Sequence, residues 1–175
     1  MKRNLMIGLV VVIVAIVVIS AVAIISLGTQ DNKNYTLEVG YFLKYEESWN
    51  NTSEKHNITF EILGLNATYV YYKQTESWSN GERVNYYNAT KNETPFADFN
   101  HPPAGINLTY LGKENIDTKW GAISTDHYNI SSSVVHEDFW IRNGVLVKFE
   151  LSLPSLPWMS VTNVLVDTNM PQITD

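Results

Sequence analysis

The sequence predicts an N-terminal transmembrane α-helix followed by a mainly antiparallel β domain. Three observations carry that reading. Residues 5–27 are apolar apart from Gly8, Ser20 and Ser26. From residue 35 onward, short runs rich in β-branched and aromatic residues recur with turn residues between them. No stripe of 3.6-residue period longer than two turns follows the apolar run.

The run from Leu5 to Leu27 is the first element. At 1.5 Å per residue, a helix of this length spans about 34 Å, enough for a hydrocarbon core of about 30 Å. Val and Ile dominate it, yet lipid forces a helix, because backbone polar groups there must be satisfied within the segment. Lys2 and Arg3 precede the run and Asp31 follows it, so the N-terminus is expected in the cytoplasm and the rest outside. A cleaved secretory signal is the alternative. Ala21-Val22-Ala23 has a cleavage-site form, but Ile24, Ile25 and Leu27 carry the apolar run past it. A pilin-type leader would place a glutamate near the helix start, and none is there. The expected organisation is a cytoplasmic tail (1–4), a signal-anchor helix (5–27), a polar linker (28–34) and an extracytoplasmic β domain (35–175).

Strands follow in order. From Tyr35 to Tyr45, the residues Tyr35, Leu37, Val39, Tyr41, Leu43 and Tyr45 fall on one face, the period-2 pattern of a half-buried strand. Further strands are expected at Ile58–Leu63, Ala67–Lys73, Glu82–Tyr87 and Ile106–Leu111. Ile116–Ser131 reads as bent or broken, and Val134–Arg142, Val145–Leu153 and Val161–Asp167 complete the set. Asn143-Gly144 signals a type I′ hairpin placing Trp140 opposite Val147, and Asn80-Gly81 signals a second. The segment 94–105 holds three of the six prolines and reads as a loop. Strands in such succession suggest a meander that curls into a half-barrel, a curved sheet or a sandwich.

Composition narrows the function. Outside the apolar run, hydrophobic residues still make up about 39% of the chain, enough for a core. The net charge of −6 argues against a nucleic-acid partner. With no cysteine, disulfide scaffolds, cysteine-ligated zinc and thiol catalysis are excluded.

Three groups of residues resemble known proteins. They are Val39-Gly40-Tyr41 with Lys44-Tyr45, the run from Gly112 to Gly121 leading to Asp126-His127-Tyr128, and Trp140 to Val145 with Asp167-Thr168-Asn169. Together they resemble uncharacterised archaeal cell-surface proteins with one N-terminal anchor. The opening strand has Gly-Tyr-Phe where such proteins often show Gly-Asp-Tyr. The resemblance implies a curved antiparallel sheet, similar in outline to lipoprotein-carrier half-barrels. It brings no activity and no functional residues.

Candidate sites are few. Nine Asn-x-Ser/Thr acceptor motifs occur, at Asn34, Asn50, Asn51, Asn57, Asn66, Asn88, Asn92, Asn107 and Asn129. With 18 Asn and 27 Ser plus Thr, composition alone would place about three. All nine lie on the expected outer side, which points to N-glycosylation. His127 and His136 fall opposite each other if the chain turns at Ser131-Ser132, and with Asp138 they form a candidate metal site. A structural pair of half-exposed histidines is the competing explanation. Trp49 and Trp78 are expected at loop tips. No phosphate loop, nucleophile elbow or His-Glu-x-x-His motif is present. The sequence therefore points away from an enzyme and calls for no cofactor. The first functional reading is a glycosylated, membrane-anchored cell-surface protein with a structural or interaction role in the envelope. Its partners would be membrane lipid, through the Leu5–Leu27 helix, and envelope proteins. The alternative is a module that binds a lipid or other apolar ligand in the concave face of a half-barrel. A metal-dependent enzyme is third.

Overall fold

Strand-length stretches of alternating burial organise the domain. In the computed structural model, residues 36–97, 99, 109–132, 135–156 and 159–174 are described. The expected anchor and linker, and the acceptors Asn34 and Asn107, lie outside them. Among the described residues no helix is long and apolar enough to cross a membrane.

Nine strands form one antiparallel sheet: β1 (Phe42–Trp49), β2 (Lys55–Leu65), β3 (Tyr69–Trp78), β4 (Gly81–Thr90), β5 (Thr109–Thr118), β6 (Gly121–Ser131), β7 (His136–Arg142), β8 (Val145–Ser152) and β9 (Val161–Thr168). A 3-10 turn (Lys91–Glu93) follows β4, and a one-turn helix, α1 (Pro171–Thr174), follows β9. The sheet order is β4-β3-β2-β1-β9-β8-β7-β6-β5. The expected single meander is thus two, of four and five strands, sealed by antiparallel pairing of β1 with β9 from Leu43↔Thr168 to Trp49↔Val161. The connection from β4 to β5 links one edge of the sheet to the other. It does so because Phe96, Ala97 and Phe99, read from sequence as loop residues, are themselves buried in the core.

The first strand starts later than the sequence suggests. Gly40 adopts φ +89° and donates to Ile62 O at 2.9 Å, so the chain turns before entering β1. Val39 is left 62% exposed, although the inward parity of Leu43 and Tyr45 holds and extends to Glu47 and Trp49. Asn169 secures the entry, accepting from Phe42 N and donating to Gly40 O, both at 3.0 Å.

The Asn143-Gly144 turn forms, with φ of 48° and 83°, as a type I′ hairpin requires. Val145, Val147, Phe149 and Leu151 are buried and Leu153 partly so. The register differs in one respect: Trp140 faces Lys148 rather than Val147, because the pairing shifts between Trp140 and Ile141. At the second hairpin Trp78 pairs with Gly81, so the turn is Ser79-Asn80, one residue earlier than expected. Gly81 serves contact rather than backbone freedom there, since a Cβ would sit 3.4 Å from Trp78 Nε1. The expected break in 116–131 is the β5–β6 turn at Lys119-Trp120, followed by Gly121 at φ +96°.

One core cluster joins Leu43, Phe60, Val70, Phe96, Val147, Leu165 and Met170, among others from both meanders. A second packs Phe99 and Ala97 against Phe139, Ile141, Phe149 and Leu151. The β5–β6 turn reaches back so that the Lys119 ammonium pairs with Asp167 of β9, although three strand spacings separate β6 from β9. The sheet remains open: among the described residues β4 pairs with β3 alone and β5 with β6 alone.

Candidate functional site

The β6–β7 pairing decides what the histidines do. The pairing of Ser131 with His136 rules out a reversal at Ser131-Ser132. The same register pairs Asn129 with Asp138 and His127 with Trp140. His127 and His136 are not directly opposite, as the sequence reading has them. They still converge, because Asp138 stands between them on the same face. His127 Nε2 lies 2.9 Å from Asp138 Oδ1, and His136 Nε2 lies 3.1 Å from Oδ2. His127 Nδ1 faces Glu114 Oε2 at 3.2 Å, and Ser131 Oγ contacts His136 Nδ1. Asn129, 9% exposed, donates through Nδ2 to Glu137 O at 3.2 Å and to Asp138 Oδ1 at 3.1 Å.

Trp140 anchors this cluster. The His127 ring stacks on it at 4.2 Å with an interplanar angle of 17°. From the other neighbouring strand, Lys148 Nζ sits 4.2 Å from its ring centroid, a cation–π contact. Its Nε1 donates to Glu114 Oε2 at 2.7 Å. A cleft of about 400 Å³ adjoins the cluster, lined by His136, Asp138, Glu150, Ser160, Thr162 and Asn50, among others.

These atoms hydrogen-bond one another. Zinc would require its nitrogen and oxygen ligands at about 2.0–2.2 Å from a common centre, whereas here both imidazoles close onto one carboxylate. Among the described residues no group of three or more His, Cys, Asp or Glu is placed to hold a metal ion. Hydroxyl, imidazole and carboxylate do line up through Ser131, His136 and Asp138. However, Nδ1 takes the serine and Nε2 the carboxylate, the reverse of a chymotrypsin-like triad. The arrangement is a polar brace across β6 and β7. Asp138→Ala strips both imidazoles of this partner, and a drop in stability of about 1–3 kcal/mol in denaturant titration is expected. An unchanged midpoint would show the brace to be idle.

Glu47 is a buried ionisable side chain that the sequence reading did not place in the core. Alternation puts Glu46 on the outer face, 2.6 Å from Lys55 Nζ, and turns Glu47 into the core. Burial pushes its carboxyl above the usual range, against the Trp49 Nε1 bond at 2.8 Å and the nearby His56, both of which favour the charged form. A raised folded-state pKa means the folded protein holds this proton longer than the unfolded chain. Its contribution is then fullest below the unfolded value of 4.5 and falls as pH rises through the folded value. Glu47→Gln should therefore raise the melting temperature at pH 7 and flatten its decline above pH 4.5. A lower melting temperature at pH 7 would contradict that. Trp49, expected at an exposed loop tip, is buried by the same arrangement, whereas Trp78 is 39% exposed.

The acceptor asparagines divide. Asn50, Asn51, Asn66 and Asn88 are exposed, Asn57 and Asn92 are half-buried, and Asn129 is buried in the brace. Asparagines outside the motif are similarly placed: Asn80, Asn115 and Asn143 are exposed, Asn85 and Asn163 half-buried. Exposure therefore does not separate the two groups, and the Asn129 amide is already engaged. Asn66 in addition accepts from Thr68 N and Tyr69 N, both at 2.8 Å.

The largest feature without a sequence signature is the outward apolar surface of β3 and β4. Tyr69, Tyr71, Val84 and Tyr86 are 41–60% exposed. Tyr71 and Tyr86 stack at 6.3 Å and 19°. On the other face Tyr72 stacks with Tyr87 at 5.2 Å, and burial with the neighbouring Tyr87 pushes the Tyr72 hydroxyl up to about 12.

No family model matches the chain, and no curated protein matches it. Among solved structures it is similar to a "putative exported protein with YmcC-like fold" from Bacteroides fragilis. Identity is 8%, the match covers 78% of this chain and 98% of that one, and the TM-score is 0.46. These comparisons do not support the resemblance to archaeal surface proteins or to lipoprotein carriers.

Proposed function

We propose that this chain is a single-pass cell-surface protein whose β domain, outside the membrane, is a structural or interaction module of the envelope. The observation that carries the interaction role is where the apolar side chains go. Phe96 fills the core among Tyr72 and its neighbours, joined by Met170 and Ile173, so the chain's own side chains take the space that a bound lipid would need. Apolar rings are instead turned outward on β3 and β4. The anchor rests on the uncharged run from Leu5 to Leu27 and on Lys2 and Arg3. N-glycosylation belongs to the same reading through the exposed acceptors Asn50, Asn51, Asn66 and Asn88.

Protease treatment of intact cells tests the topology. With an epitope tag at the N-terminus, the domain should be lost while the tag stays protected; a protected domain would overturn the reading. Native mass spectrometry of the purified chain tests the role. A lipid retained at one copy per chain would favour the carrier alternative instead.

A further inference from the structure

The two edges of the sheet are built differently. β5 is broken by a register shift between Tyr110 and Gly112, with Gly112 at φ +125°, and carries Lys113, Glu114 and Asp117. Bulges and charges of this kind discourage pairing with another chain. β4 has none of the interruption. Its ten residues pair with β3 in unbroken register from Tyr69↔Thr90 to Trp78↔Gly81. It contains no proline, its charges are confined to Glu82 and Arg83, and most of it is exposed on both faces. A long, regular, aromatic edge presents unpaired backbone donors and acceptors and is a template for another strand.

The sequence of β4 matches itself. A two-fold axis perpendicular to a sheet keeps each residue on its own face, so opposing residues in a symmetric antiparallel pair differ by an even number. Centring that axis on Asn85 sets Val84 opposite Tyr86 of the second copy, Arg83 opposite Tyr87 and Glu82 opposite Asn88. Both exposed apolar positions on one face then meet, and on the other a guanidinium meets a tyrosine ring. No like charges are opposed, and the register covers residues 81–89, nine of the ten in β4. Centring on Tyr86 gives a ladder of the same length but leaves Val84 against Asn88. Centring on Val84 sets Glu82 against Tyr86.

We infer that β4 is a homophilic edge, through which two copies of this chain pair antiparallel about Asn85 to form one continuous sheet. The inference deepens the interaction role proposed above and names its partner. Side chains leave a strand perpendicular to the sheet, so a glycan on Asn88 leaves the edge itself open. Two chains on one membrane would pair with their sheets lying along it, and two on facing membranes with their sheets upright.

The absence of native cysteine makes the test clean. Asn85→Cys in the full chain, solubilised in detergent micelles that permit either arrangement, is oxidised and run without reductant. Directly opposed strand residues lie about 4.5–5.5 Å apart between Cα atoms, within disulfide range. A linked species at twice the chain mass of 19.9 kDa is expected. Adding Val84→Lys, an exposed substitution, should reduce its yield at least tenfold with an unchanged circular dichroism spectrum. Asn115→Cys on the β5 edge is expected to stay monomeric. A monomeric Asn85→Cys chain, or equal linking of the Asn115→Cys chain, would overturn the inference. Because the readout is in micelles, its failure is distinguishable from failure of the surface topology, which protease treatment of cells reads separately.

Discussion

Replacing Phe149 with alanine is expected to lower the stability of the domain by about 3–5 kcal/mol, the range for a buried phenylalanine truncated in a packed core. Phe149 is 3% exposed and lies 5.1 Å from Phe139 at a tilted angle. It sits on β8, whose partners β7 and β9 hold it from both sides, so the strand itself cannot shift to close the cavity. Calorimetry should show a fall in Tm of roughly 10 °C or more for a domain of this size. Phe149→Leu, which retains most of the volume, should recover more than half of the loss. A Tm within 2 °C or so of the parent for the alanine variant would mean that the second core cluster is not packed as described.

Phe96→Ala is expected to cost a similar amount, about 3–5 kcal/mol, although the residue lies on a connection. Exposed loop positions ordinarily tolerate substitution within about 0.5 kcal/mol. Phe96 is fully buried, its ring meeting Tyr72 edge-on at 6.1 Å. Thr94, also fully buried, holds the local turn by accepting from Phe96 N at 3.2 Å and donating to Lys91 O at 3.0 Å. The variant should also bind an environment-sensitive apolar dye more strongly than the parent. A Phe96→Ala protein with parental Tm and dye binding would show that the connection rests loosely on the sheet. The apolar-ligand reading would then regain its space.

Several features were legible because they are local. Alternation identified the inward face of β1 through Leu43 and Tyr45, and continued through the unexpected Glu47. Asn143-Gly144 marked its hairpin, since few other dipeptides accept two positive φ angles. The brace was half legible: His127, His136 and Asp138 do come together, but in a register that pairs Ser131 with His136. Three consecutive serines give no local preference among turns, so the pairing observed rests on tertiary contacts, among them Trp140 against His127 and Lys148. The same limit applies to Trp49. A tryptophan beside Asn50-Asn51 reads as a loop tip until the strand is known to continue through it.

The sequence by itself determined the strand content, the direction of most side chains, the two hairpin sites and the anchor expectation. All of these follow from periodicity, turn chemistry or hydrophobic length within a few residues of one another. Tertiary structure alone decided that β1 joins β9, that Phe96 closes the core, that the imidazoles share one carboxylate and that β4, among the described residues, is left as a regular open edge. Each depends on residues far apart in the chain meeting in space. An edge strand and a central strand can show much the same alternation, and the difference lies in whether a second neighbour is present.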